Sequence, residues 1–124
     1  MSRHLNRVTL IGVIGNEPTM AASAGQTAVC KFSVGVTESY KGRDGRMVND
    51  TEWHPVVVLG KQAEVLFPIL GAGKRIYVEG KLQNRERVIQ NITVAYVNIK
   101  AERVIVLGHD RDVEKEAERE AAIP

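Results

Sequence analysis

One cysteine, one tryptophan, two phenylalanines and four prolines in 124 residues put several kinds of protein out of reach. With Cys30 as the sole thiol there is no internal disulfide and no multi-cysteine metal cage, and a reducing compartment such as the cytoplasm is expected. Long apolar runs are also missing. The run Val56-Val57-Val58-Leu59 is far below the ~20 residues of a membrane-spanning helix, and Met1-Ser2-Arg3-His4 leads into a strand-like pattern rather than a signal peptide. Neither charge sign dominates, since 17 Lys and Arg against 15 Asp and Glu leave a net charge of +2, weak evidence for an acidic partner. No period of 20 to 50 residues recurs, which excludes solenoids and propellers.

What is present is the composition of one soluble domain, 44% hydrophobic and 26% charged. The small net charge hides an uneven distribution: residues 1–108 carry 14 basic and 9 acidic side chains, residues 109–124 carry 3 and 6. The predicted organisation is therefore a basic domain over 1–108 and an acidic tail over 109–124. The tail includes Glu114, Glu116, Glu118 and Glu120, has no aromatic residue, and is expected to be flexible or loosely helical because it has little apolar surface to bury.

The body reads as strands. Over 28–37, Ala28, Cys30, Phe32, Val34 and Val36 alternate with Val29, Lys31, Ser33, Gly35 and Thr37, the period-two pattern of a half-buried strand. Residues 5–14 are similarly rich in β-branched side chains, with Gly12 and Gly15 where a strand bulges or bends before Asn16-Glu17-Pro18. Further strands are predicted over 51–59, 75–82, around 85–97 and over 101–107, and 41–50 has the Gly42, Asp44-Gly45 and Asn49 of a connecting loop. One helix over 61–70 should kink or stop near Phe67, because Pro68 inside it forfeits a hydrogen bond at a cost of ~3 kcal/mol, and Gly71 and Gly73 follow as capping glycines. Five to six strands with one short helix describe an all-β Greek-key barrel of the OB-fold type.

Enzyme chemistry finds little support. His4, His54 and His109 are far apart, no two are spaced as metal ligands on one element, and Cys30 falls on the apolar face of its strand as a packing residue. Neither glycine pair makes a phosphate-cradling loop. A non-enzyme without metal or cofactor is expected. Residues 51–59 are more informative, with Trp53, Pro55, Val57 and Leu59 on one side and Glu52, His54, Val56 and Val58 on the other. Both sides are largely apolar. One faces the core and the other meets a subunit or lies open, so Trp53 either packs or stacks on a base. Arg3, Arg7, Lys31, Lys41, Arg43, Arg46, Lys61, Lys74, Arg75, Lys81, Arg85 and Arg87 lie in the strands and loops around that barrel. They are either a solvated surface or, interleaved with Tyr40 and Trp53, the phosphate contacts of a single-strand binder.

The run Thr51-Glu52-Trp53-His54, followed by Val56-Val57-Val58-Leu59-Gly60-Lys61 and Ala63-Glu64, resembles the core signature of bacterial-type single-stranded DNA-binding proteins. Asn6-Arg7-Val8-Thr9-Leu10-Ile11-Gly12, Gly15 with Glu17-Pro18, Thr37-Glu38-Ser39-Tyr40-Lys41 and Tyr77-Val78-Glu79-Gly80-Lys81-Leu82 agree in order, so the resemblance covers residues 3–108. It implies an OB-fold domain that assembles as a homotetramer and binds single-stranded DNA with little sequence preference, protecting it during replication, recombination and repair. Trp53 and Tyr40 match the family's base-stacking aromatics, Arg3, Arg7, Lys61 and Arg85 its basic positions along the DNA path, and His54 a histidine near subunit contacts. Leu59 stands where many members have a stacking phenylalanine, Arg87 where many have a tryptophan, and Pro55 where a basic residue is usual. These departures, and a hairpin turn as tight as Gln90-Asn91, imply weaker stacking and a shorter arm. The end Ile123-Pro124 lacks the family's terminal phenylalanine and glycine- and proline-rich linker, which leaves partner recruitment by replication and repair proteins incomplete. A primosome-type OB protein that mainly bridges replication proteins is the alternative.

Overall fold

The structure, a computed structural model, describes residues 3–22 and 27–109. Six strands run in the order β1 (Val8–Ile14), β2 (Thr19–Ala22), β3 (Ala28–Lys41), β4 (Met47–Leu59), β5 (Lys74–Ile89) and β6 (Ile92–His109). Helix α1 (Gly60–Leu66) and a 3-10 turn (Phe67–Ile69) lie between β4 and β5. The sheet order is β1-β5-β6-β4-β3-β2, and β1 also pairs with β3 at Val13↔Gly35 and Ile14↔Val34. That second pairing closes five strands into a ring, with β2 as an added edge strand on β3. All pairings are antiparallel except β4 with β6, joined at Val56↔Ile99 and Val57↔Lys100. The expected barrel of five to six strands with one short helix forms, with five strands in the closed ring.

Closure follows from the alternation. Cys30, Phe32 and Val34 of β3 are buried between outward Lys31 and Ser33, and they meet Val56 and Val58 of β4, Ile76 and Val78 of β5 and Ile99 of β6. Removing these side chains from water, at roughly 25 cal/mol per Å² of apolar surface, drives the ring shut. Ala63, Leu66 and Leu70 plug one end. Where β1 crosses β3, a Cβ on Gly12 would lie 2.4 Å from the Gly35 carbonyl oxygen, so only glycine permits this approach. Cys30 is fully buried, and burial pushes its thiol pKa up, as suits a packing residue and not a nucleophile.

Three elements differ from the sequence expectation. Residues 41–50 are mostly a hairpin, paired from Thr37↔Thr51 out to Lys41↔Met47, because Gly42, Asp44 and Gly45 compress the reversal. The Arg46 amide donates to Asp44 Oδ1 at 3.0 Å, and Gly45 takes a φ of 84°. The strands predicted over 75–82, 85–97 and 101–107 are two long ones that reverse at Gln90-Asn91. Both residues have positive φ, 49° and 65°, the requirement of a type I′ turn. Strand β2 was not anticipated. The helix does stop at Leu66, where Pro68 turns the chain into a 3-10 segment. Strand β6 extends to His109, opposite Lys74, and the acidic tail beyond it lies outside the described residues.

Candidate nucleic-acid interface

Strands β3 and β4 pair in unbroken register from Val29↔Leu59 to Lys41↔Met47. The pleat therefore puts Lys31, Ser33, Gly35, Thr37, Ser39 and Lys41 on one face with Met47, Asn49, Thr51, Trp53, Pro55, Val57 and Leu59. Phe32, Val34, Val56 and Val58 go to the opposite face and into the core, which resolves the ambiguity of 51–59 in favour of an outward Trp53. Past the barrel the core-side face continues as Glu38, Tyr40, Asp50, Glu52 and His54. The charges of these two strands thus separate by sign. On the Trp53 face they are Lys31 and Lys41, and on the other Glu38, Asp50 and Glu52. A polyanion is attracted to the first face and repelled by the second.

Trp53 is 56% exposed and directly opposite Gly35. Its six-membered ring lies over two glycines, since a Cβ built on Gly15 or Gly35 would sit 2.2 or 2.6 Å from Cζ3. One side of the indole rests on backbone and the other is open. Further along the face the Thr37 and Thr51 hydroxyls are 2.7 Å apart, and the Ser39 hydroxyl donates to Asn49 Oδ1 at 2.6 Å, making a polar ladder toward the hairpin tip. Toward β6 the face continues into a groove of about 310 Å³ lined by Lys31, Ser33, Pro55, Arg87, Tyr96 and Asn98, among others. The Arg87 guanidinium lies 5.5 Å from the centre of the Tyr96 ring, a cation–π contact that keeps the planar group in place. Asn98 is 6% exposed in the groove and its Oδ1 has no hydrogen-bond partner. An aromatic platform, a second planar group and lysine side chains on one surface match what a single strand offers, flat bases on a charged backbone.

The expected site residues do not all converge. Trp53, Lys31, Leu59, Arg85 and Arg87 share this surface, with Arg85 and Arg87 opposite Tyr96 and Val94 on the β5–β6 arm. Tyr40 is 51% exposed but points to the acidic face, away from Trp53. Arg7 donates to Glu79 Oε1 at 3.4 Å on the β1–β5 surface, and Lys74 Nζ donates to the Ile69 carbonyl at 2.9 Å, securing the 3-10 turn. Arg75 is half-buried at the β1–β3 seam beside Gly35 and Thr37. Arg3, Lys41, Arg43 and Lys61 are exposed at the periphery. His54 is half-buried opposite Val34, next to Glu52. Sequence reasoning missed Tyr96, Asn98 and the part played by Gly15 and Gly35. Among the described residues no group of three or more His, Cys, Asp or Glu could hold a metal ion, and no helix is long and apolar enough to cross a membrane.

The Arg7 site carries its own electrostatics. Tyr77 Oη donates to Glu79 Oε2 at 2.7 Å, and this bond, then the one from Arg7, holds the Glu79 carboxyl below the usual carboxylate range. The same bond, with some desolvation, raises the Tyr77 phenol above its usual value. A carboxylate whose pKa is lowered on folding adds stability above its unfolded value, and that stability is lost as pH falls through the folded value. For the phenol the contribution is present below the unfolded value and lost as pH rises through the folded one. The melting temperatures of wild type and Glu79→Gln should therefore differ at pH 7 and approach each other only as pH falls below the ordinary carboxylate range of about 4. Thermal unfolding followed across pH 3 to 7 checks this, and a difference constant over that range would contradict it.

The profile of the single-strand binding protein family matches residues 5–107. The chain belongs to that family. Among its relatives, a single-stranded DNA-binding protein 1 of Chlorobaculum tepidum is 39% identical over 85 residues, covering 68% of this chain and 52% of the relative. A single-stranded DNA-binding protein of Xanthomonas axonopodis is 35% identical over 109 residues, covering 87% and 61%. The chain thus spans about half to three-fifths of the length of these curated relatives. A crystallised deletion mutant of the Thermus aquaticus single-stranded DNA-binding protein superposes with a TM-score of 0.73 at 30% identity over 86% of this chain and 52% of that one. A Plasmodium falciparum single-strand binding protein solved in complex with single-stranded DNA gives 0.73 at 27% identity over 86% and 98%. The barrel of this family member is accordingly an OB fold, and its relatives are named for binding, not for catalysis.

Proposed function

We propose that this family member binds single-stranded DNA with little sequence preference on the Trp53 face of its barrel. The observation that carries the proposal is an open indole on a strand-pair surface whose charged side chains are lysines. Bases stack on Trp53, Lys31 neutralises phosphates, and Arg87, stacked on Tyr96, offers a planar cation on the same surface. Leu59 adds apolar contact at the end of the same strand face. Lys41 lies on the same face nearer the hairpin tip, Tyr40 and Arg43 extend the path only if the strand rounds that tip, and Arg3, Lys61 and Arg85 add charge at its edges.

In the cell such binding protects exposed strands during replication, recombination and repair. A homotetramer, with His54 near a subunit contact, presents four Trp53 faces to one strand. The test is a pair of measurements, the anisotropy of labelled oligothymidylate titrated with the protein and its native mass. Tight binding to oligothymidylate with little response to a duplex of equal length, together with a mass of four chains, is the expected result. Equal affinity for duplex would refute single-strand binding, and a monomeric mass would refute the tetramer.

A further inference from the structure

We infer that Gly15, Asn16 and Gly35 form a seat that fixes the Trp53 indole at one angle and leaves it a single stacking face. This rests on the proposal that Trp53 stacks on bases. Neither glycine is required by its backbone, because among the described residues the glycines with positive φ are 45, 60, 73 and 108. What excludes a side chain at positions 15 and 35 is the indole itself. The three atoms nearest a Cβ at either site all belong to Trp53, at 2.2 to 3.0 Å for Gly15 and 2.6 to 3.0 Å for Gly35. Any residue other than glycine must lift or tilt the ring.

Asn16 sets the depth of this seat. The Gly15 amide donates to the Ser33 carbonyl at 3.0 Å, and the Ser33 amide donates to Asn16 Oδ1 at 3.0 Å. These two bonds tie the chain just after β1 to the middle of β3, which places Gly15 beside Gly35 under one ring. A ring held in this way has little freedom left to lose when a base stacks on it, so the stacking energy reaches the binding constant nearly undiminished. Because its back rests on main chain, the indole cannot insert between two bases. It takes one base per subunit.

The protein's single tryptophan makes the test direct. In Gly35→Ala and Gly15→Ala the emission of the free protein should shift to the red and become more accessible to acrylamide, and oligothymidylate affinity should fall about fivefold or more, the lower end of what one stacked base contributes. Asn16→Ala adds no atom to the seat and should change both readouts in the same direction by less, so it serves if an alanine at 15 or 35 prevents folding. In a Trp53→Ala background Gly35→Ala should leave affinity unaltered, since the seat then holds nothing. Wild-type emission in the three variants, or an affinity loss of equal size with and without Trp53, would overturn the seat. The emission of the free protein judges the seat and the titration of wild type judges the stacking, so failure of one is distinguishable from failure of the other.

Discussion

Replacing Trp53 by alanine should weaken oligothymidylate binding by about 5- to 150-fold, because one base loses a stacking partner worth roughly 1–3 kcal/mol. The same change should cost only about 1 kcal/mol of stability, since much of the ring is already in water and only its inner face gives up contact with Gly15 and Gly35. A core aromatic behaves in the opposite way, with a large loss of stability on truncation to alanine. Affinity and urea unfolding measured on one pair of samples separate the two roles. Unchanged affinity combined with a stability loss of ~3 kcal/mol or more would make Trp53 a packing residue.

Phe32→Ala carries the larger effect on the fold. Phe32 is 3% exposed, belongs to the core between Cys30 and Val34, and also borders the groove beneath Lys31 and Ser33. Its removal leaves a cavity where β3 meets β4 and should cost about 3–5 kcal/mol. Against a typical total of roughly 5–15 kcal/mol, that is enough to bring the protein close to unfolding at its working temperature. The urea midpoint should fall with little change in slope, and the fraction still folded should bind DNA more weakly as the groove floor relaxes. A loss below ~1 kcal/mol would place Phe32 outside the core and with it the alternation on which the barrel rests.

Much of the barrel was legible because its core strands alternate cleanly, as Cys30, Phe32 and Val34 do against Lys31 and Ser33. The hairpin over 41–50 was hidden because Glu38, Ser39, Asn49 and Asp50 are polar on both faces of a ribbon that has left the barrel, so hydrophobic period carries no signal there. That omission also obscured Tyr40. Continuing the alternation from Phe32 and Val34 puts Tyr40 on the core-side face, but a strand thought to end at Thr37 gives no reason to count so far. Tyr96 could have been found, since folding the chain about Gln90-Asn91 sets it opposite Arg85 and sets Val94 opposite Arg87. The Arg7–Glu79 pair could not, because it depends on a β1–β5 register fixed by packing across 72 positions of sequence. The two glycines under Trp53 were visible as glycines, but their common partner emerges only when β1, β3 and β4 are brought together.

The most direct measurement of the central claim is the emission of Trp53 as oligothymidylate is added at several salt concentrations. Stacking on an open indole predicts saturable quenching, with log affinity falling linearly against log salt by about 0.7 for each phosphate neutralised. Emission that stays constant through the titration, or an affinity indifferent to salt, would contradict a strand held on this face by bases on Trp53 and phosphates on its lysines.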